Sequence, residues 1–174
     1  INADSSDAEM HDILGAVHMT RAFARAQYSD TDKALGAFER ALTLDPDRAT
    51  THYNVGLVYT YRDSALRAEQ AFIRALQADS TLAPAYKKLG LYYRERGDTD
   101  KALAHLQQTV RHAPKDSEAH FHLGLIHRSQ GHYPEAESAF DAAVALNPYS
   151  PQIHFNLAQV YLRKLAPVEE ISAI

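Results

Sequence analysis

The sequence predicts an all-α fold, a linear array of antiparallel helix pairs in place of a single globular core. Three observations carry this. The first is a 34-residue echo. Ala34, Ala68, Ala102 and Ala136 keep that step, as do Phe38, Phe72, Leu106 and Phe140, then Pro46, Ser80, Pro114 and Pro148, then Gly56, Gly90, Gly124 and Ala158. A fixed period of roughly 20–50 residues marks stacked repeats. The second is that each period holds two stripes of apolar residues at helical spacing, separated by turn residues. The third is composition: only seven glycines and seven prolines in 174 residues, with abundant alanine, which suits packed helices.

The elements follow in chain order. Residues 1–8, Ile-Asn-Ala-Asp-Ser-Ser-Asp-Ala, resemble Leu76-Gln77-Ala78-Asp79-Ser80-Thr81-Leu82-Ala83. Residues 1–7 are therefore expected to close the second helix of a preceding repeat. The repeat over residues 8–48 is irregular. Ala8, His11, Leu14, Gly15 and His18 form its first stripe, and Ala34, Phe38 and Ala41 its second. Gly15 stands 19 residues before Ala34, whereas Gly56 stands 12 before Ala68, an excess of seven. Seven residues are close to two helical turns and roughly preserve phase. With strong helix formers over residues 21–27, one long first helix over residues 8–28 is expected, projecting roughly 10 Å past its neighbours. A loop excursion is the alternative.

The next units are regular. Over residues 49–82, His52, Val55, Gly56 and Tyr59 form one helix face, Ser64 is placed to cap the next helix, and Ala68, Ala71, Phe72, Ala75 and Leu76 form the second. Small residues at 56, 68 and 75 let the two backbones approach closely. Over residues 83–116 the stripes are Tyr86, Leu89, Gly90, Tyr93 and Ala102, Leu106, Thr109. Gly97 is placed at a left-handed C-cap, and Pro114 ends the unit. Over residues 117–150 they are His120, Leu123, Gly124, His127 and Ala136, Phe140, Ala143. Gly131 and Pro134 mark the turn. Residues 151–174 supply a further first helix with His154, Leu157, Ala158 and Tyr161, and Pro167 would begin its partner. Both ends are expected to be cut from a longer array, since a free-standing array needs polar capping helices.

These units resemble tetratricopeptide repeats, whose pattern runs bulky residue, Leu-Gly, Tyr, Ala, Phe, Ala and Pro at fixed offsets. The likeness covers residues 8–162. The departures are His at 52, 120 and 154 in place of a bulky aromatic, and Ser80 in place of one proline. The resemblance implies a right-handed superhelical solenoid whose first helices line a concave groove. It assigns to that groove Tyr53, Leu57, Tyr61, Lys87, Leu91, Arg94, Phe121, Leu125, Arg128, Phe155, Gln159 and Arg163. The groove would have an aromatic and aliphatic floor with basic residues around it. Apolar anchors and Arg–carboxylate pairing are its natural chemistry. Packing against the next repeat is the competing role for Leu57, Leu91 and Leu125. The Lys–Asn carboxylate clamp of chaperone-tail binders is absent, because Tyr53 and Leu57 occupy those places. Asn54 and Asn156 are too few for an asparagine ladder.

Composition narrows the function further. The net charge of −4 gives no electrostatic reason to expect nucleic acid. Charge is uneven: residues 83–116 carry seven basic against four acidic residues, a net +3, and residues 117–150 carry one against four, a net −3. There is no cysteine, which excludes disulfides, thiolate metal sites and a cysteine nucleophile. No apolar run approaches the roughly 18 residues that span a bilayer. A soluble protein of cytoplasm or periplasm is expected. The ten histidines fall mostly at packing positions and lack carboxylates at metal-ligand spacing, so neither a metal nor a cofactor is expected. No phosphate loop or nucleophile elbow occurs, and no enzyme is expected. The expected function is a protein-interaction scaffold that binds a peptide or partner protein with acidic and apolar residues. A self-associating structural array, or the recognition arm of a larger enzyme, are the competing readings.

Overall fold

The computed structural model describes residues 3–165, with side chains from residue 6. Among these residues it holds nine helices and no strand: α1 (Ala3–Arg25), α2 (Tyr28–Leu44), α3 (Ala49–Tyr61), α4 (Ala65–Ala78), α5 (Ala83–Glu95), α6 (Thr99–His112), α7 (Ser117–Ser129), α8 (Tyr133–Leu146) and α9 (Pro151–Leu165). The all-α helix-pair class is the one the period predicts. The helix expected from Pro167 lies outside the described residues, as do residues 1–2. The chain divides into two compact units, Ile1–Tyr92 and Tyr93–Ile174.

In the first unit, α1 packs on α2 and α3 on α4 through one device. A Cβ on Gly15 would stand 2.5 Å from the Phe38 ring, and one on Gly56 would stand 2.4 Å from Phe72. The glycine lets the ring press flat against the neighbouring backbone, and only glycine permits that approach. Phe38 is fully buried and Phe72 nearly so. Val58 of α3 then packs on Ala34 and Phe38 of α2, which joins the two pairs. The buried Thr51 hydroxyl donates to Asp12 at 2.7 Å and ties α3 back to α1.

Two expectations for the first pair are corrected. Residues 3–7 do not close an earlier helix: α1 runs unbroken from Ala3. Nor does the insertion lengthen the first helix alone. Past Gly15, α1 continues ten residues to Arg25, while α3 continues five past Gly56 to Tyr61. Ahead of Ala34, α2 begins six residues early at Tyr28, while α4 begins three ahead of Ala68. Five extra residues thus fall in α1 and three in α2, and the turn shrinks from three residues to two, which accounts for the seven. An α1 extended alone would leave its inner face in water. Lengthening both helices buries Ala22 and Thr31 completely. The overhang of α1 is about 7 Å at 1.5 Å per residue.

The second unit repeats the lock, with a Cβ on Gly124 set to meet the Phe140 ring at 2.6 Å. Ala136, Phe140 and Ala143 of α8 form one core with Ile153, Leu157 and Val160 of α9. Asp98 and Asp116 cap α6 and α7, accepting from Lys101 N–H at 3.3 Å and Ala119 N–H at 3.0 Å. Gly97 and Gly131 take the left-handed turn, both at φ 76°. In the first unit Asp63 holds the matching position at φ 54°, and Ala26 turns α1 into α2 at φ 51°. Ser64, expected as a cap, makes no capping bond from its side chain.

Candidate functional site

Each first helix carries its expected groove residues at the same register, and the two units treat them differently. In the first unit Tyr53 is half-buried, its ring centroid 5.6 Å from that of Phe72. Burial raises its phenol above the ordinary value, opposed by the Lys87 ammonium. Leu57, Lys87 and Leu91 are half-buried as well. Tyr61 is engaged by the long hairpin. Its ring lies 4.7 Å from Phe23 and 5.5 Å from Tyr28, and its hydroxyl donates to the Ala22 carbonyl at 3.3 Å.

Below that aromatic latch the hairpin is held by charge. Asp30 is 3% exposed. It accepts from Arg21 Nε at 2.7 Å and Nη2 at 3.0 Å, and from Lys33 Nζ at 3.1 Å. The bidentate Arg21 guanidinium is the main reason its carboxyl is lowered to about 2.

In the second unit Phe121 lies 5.9 Å from Phe140, and both it and Leu125 pack against the α8–α9 core. Arg94, at the end of α5, donates to His122 Nδ1. Arg128 of α7 donates to Gln159 Oε1 of α9. Arg128, Gln159 and Arg163 meet around a cavity of about 550 Å³, which Tyr133 and Leu162 also line. Phe155 and Leu162, 64% and 67% exposed, stand four residues before and three after Gln159 and share its helix face. The described lining holds two guanidinium groups and no carboxylate. Nearby Glu137 is engaged by Lys164, whose ammonium the bond raises above its ordinary value. Such a pocket offers charge-assisted donors beside an apolar wall, the chemistry of a carboxylate next to a hydrophobic side chain.

His122 and Tyr133 were not among the expected site residues. The signal for His122 was present: in the four units that keep the 34-residue step its position holds Asn54, Lys88, His122 and Asn156, polar each time. The histidines at the bulky position do more than pack. His52, His120 and His154 each donate from Nε2 to the carbonyl of the proline six residues earlier, Pro46, Pro114 and Pro148, at 2.8, 3.0 and 2.8 Å. Each ring pins the start of a first helix to the loop before it. Among the described residues, no group of three His, Asp or Glu side chains is placed to hold a metal, and no helix is long and apolar enough to cross a membrane.

Sequence profiles of the tetratricopeptide repeat match residues 47–115, 87–151 and 127–174. The chain belongs to the tetratricopeptide repeat (TPR) family. The matched TPR spans begin after the irregular first hairpin, where the insertion breaks the period. No curated protein matches the chain. Among solved TPR folds it is similar to MamA 41-end from Desulfovibrio magneticus RS-1, with 21% identity over 91% of this chain and 85% of that one, and a TM-score of 0.73. It is similar to PilF of Pseudomonas aeruginosa, with 20% identity over 88% and 70% and a TM-score of 0.72. It is also similar to YrrB, a TPR protein with an unusual peptide-binding site, with 26% identity over 94% and 84% and a TM-score of 0.69.

Proposed function

We propose that this TPR protein is an interaction scaffold whose second unit captures a peptide or partner segment bearing a carboxylate beside an apolar side chain. One observation carries the reading: Arg128 and Arg163 converge on a cavity walled by Leu162 and Tyr133 and free of carboxylates in its described lining. The carboxylate takes the guanidinium donors, Gln159 completes the polar side, and the apolar neighbour seats along Phe155 and Leu162. Family membership supports a binding role, and the peptide-binding site of YrrB supports a peptide as the partner. The same reading extends to the first unit through Tyr53, Leu57, Lys87 and Leu91, where a half-buried ring stands close to an ammonium.

A fluorescence-anisotropy panel of short peptides tests it, with acidic–apolar, basic–apolar and uncharged members. Acidic–apolar peptides should bind preferentially, and Arg128→Glu with Arg163→Glu should weaken them at least tenfold, about 1.4 kcal/mol. Unchanged affinity in that variant, or a preference for basic peptides, overturns the assignment. Tyr53→Ala and Lys87→Glu are the matching arm for the first unit.

A further inference from the structure

A groove runs over the face of α3 that Tyr53, Leu57 and Tyr61 do not use. Two cavities, of about 500 and 240 Å³, open side by side there and share Leu42, Val55, Tyr59 and Arg74 in their linings. His52, Val55 and Tyr59 fall at i, i+3 and i+7 and form the floor, half a turn around α3 from Tyr53, Leu57 and Tyr61. Glu39 and Leu42 of α2 stand in one wall, and Arg67, Ala71 and Arg74 of α4 in the other. All three helices lie inside the chain, with α1 before them and α5 after.

The second unit has the same hollow, over His120, Leu123 and His127 of α7 and against Glu135, Ala139 and Ala142 of α8. The repeat therefore supplies the shape, and the charge is particular to the first unit. Arg67 stands where α8 has Glu135, and Arg74 where it has Ala142. Arg67 is exposed and lies 5.6 Å over the Tyr59 ring, which holds its guanidinium at the rim. Arg74 is exposed as well, and neither arginine is in an ion pair among the described residues. Glu39, on the facing wall, is the one carboxylate in the described lining.

We propose that this groove is a second binding site and takes an amphipathic helix of a partner protein, acidic along one edge. Arg67 and Arg74 are seven residues apart on α4, about 10.5 Å along its axis. A helix lying beside α4 presents carboxylates at i and i+7 over the same length. Its residues at i+1, i+4, i+5 and i+8 then share the neighbouring face and, if apolar, seat on Leu42, Val55 and Ala71. A basic residue on the far edge meets Glu39. An extended segment turns alternate side chains away from the floor and offers no such face. The charge pairing fixes which edge of the partner lies against α4. Arg128 and Arg163 take no part, because they stand in the second unit.

Fluorescence anisotropy with three peptides, each held helical by a side-chain cross-link, tests this. The first carries glutamates at i and i+7 beside leucines at i+1, i+4, i+5 and i+8. The second has lysines for the glutamates, and the third has alanines for the leucines. The first should bind best, and either change should weaken it by about tenfold or more. Arg67→Glu with Arg74→Glu, on exposed positions, should keep the helicity seen by circular dichroism, weaken the first peptide by a similar factor and strengthen the lysine peptide. Arg128→Glu with Arg163→Glu should leave the first peptide unaffected, which separates this groove from the cavity of the second unit. No saturable binding of the first peptide up to roughly 1 mM overturns the proposal. So does binding indifferent to the Arg67 and Arg74 changes, or a loss that follows Arg128 and Arg163 instead.

Discussion

The α1/α2 and α7/α8 hairpins share one lock and differ at the tip. In both, a glycine on the first helix lies flat against a phenylalanine of the second, Gly15 on Phe38 and Gly124 on Phe140. At the tip, α7 ends in the repeat's own way, with Gly131 left-handed at φ 76°. The long hairpin turns instead through Ala26 at φ 51°, a conformation that costs an L-residue roughly 1–2 kcal/mol. What offsets that strain is the Phe23–Tyr61–Tyr28 cluster and the bonds of Arg21 and Lys33 to Asp30. The body of a repeat is thus set by one close contact, while its tip is free to vary as long as something else holds it.

The largest effect should come from breaking the shared lock. Phe38→Ala and Phe140→Ala each empty a fully buried site and should cost about 3–5 kcal/mol by denaturant unfolding. Gly124→Ala attacks the same contact from the other side, and its Cβ overpacks the ring by about 1–3 kcal/mol. A flexible leucine can retreat where a ring cannot, so Gly124→Ala with Phe140→Leu should cost less than the two changes summed. Strict additivity would mean that the glycine is not there for the ring.

An intermediate effect separates the hairpins. Tyr61→Ala removes two ring contacts and the bond to the Ala22 carbonyl and should cost about 2 kcal/mol. Amide hydrogen exchange should locate the loss at the α1–α2 tip, with the α7/α8 pair unchanged. Uniform loosening of both would show that the latch does not act locally.

That latch marks the limit of what the sequence discloses. The Gly, Ala and Phe positions were legible because each contact recurs every 34 residues, so chance agreement is excluded by repetition. The cavity was half legible. Register placed Arg128, Gln159 and Arg163 on one side of their helices, but Tyr133 enters from the start of α8, a place the period leaves unconstrained. The insertion could not be apportioned, because two helical turns keep phase in either helix. The proline bonds were on the page as Pro46/His52, Pro114/His120 and Pro148/His154. The unit with Ser80 for proline also has Tyr86 for histidine. Reading histidine only as a substitute aromatic hid a pairing the period was displaying.

A smaller effect tests the turns themselves. Ala26→Gly should stabilise the long hairpin by about 1 kcal/mol, since glycine takes a left-handed turn without penalty. Gly131→Ala should destabilise the α7/α8 hairpin by about the same amount, and nothing within 4 Å of an added Cβ would confuse the result with a clash. Two shifts of the same sign would break the comparison.

The smallest effect concerns a position where the α7/α8 hairpin departs from its own family pattern. Tyr59 packs under Arg67 at 5.6 Å and Tyr93 under Lys101 at 4.9 Å, an aromatic ring beneath a cation in each case. At the matching places stand His127 and Glu135. The His127 Nδ1 is buried without a hydrogen-bond partner, and its ring lies 6.2 Å from that of His132. Burial lowers its pKa first of all, His132 adds to the lowering, and the Glu135 carboxylate opposes both. The unfolded chain, with an ordinary histidine near 6.5, therefore takes up a proton before the folded chain does. Stability should fall as pH drops through that value and be fully present above it. His127→Tyr with Glu135→Lys, which restores the aromatic–cation pair, should flatten that part of the profile, while His132→Asn should leave most of it. If the double variant keeps the wild-type slope, the acid sensitivity lies in other histidines, and the exchange at 127 and 135 is neutral to the fold.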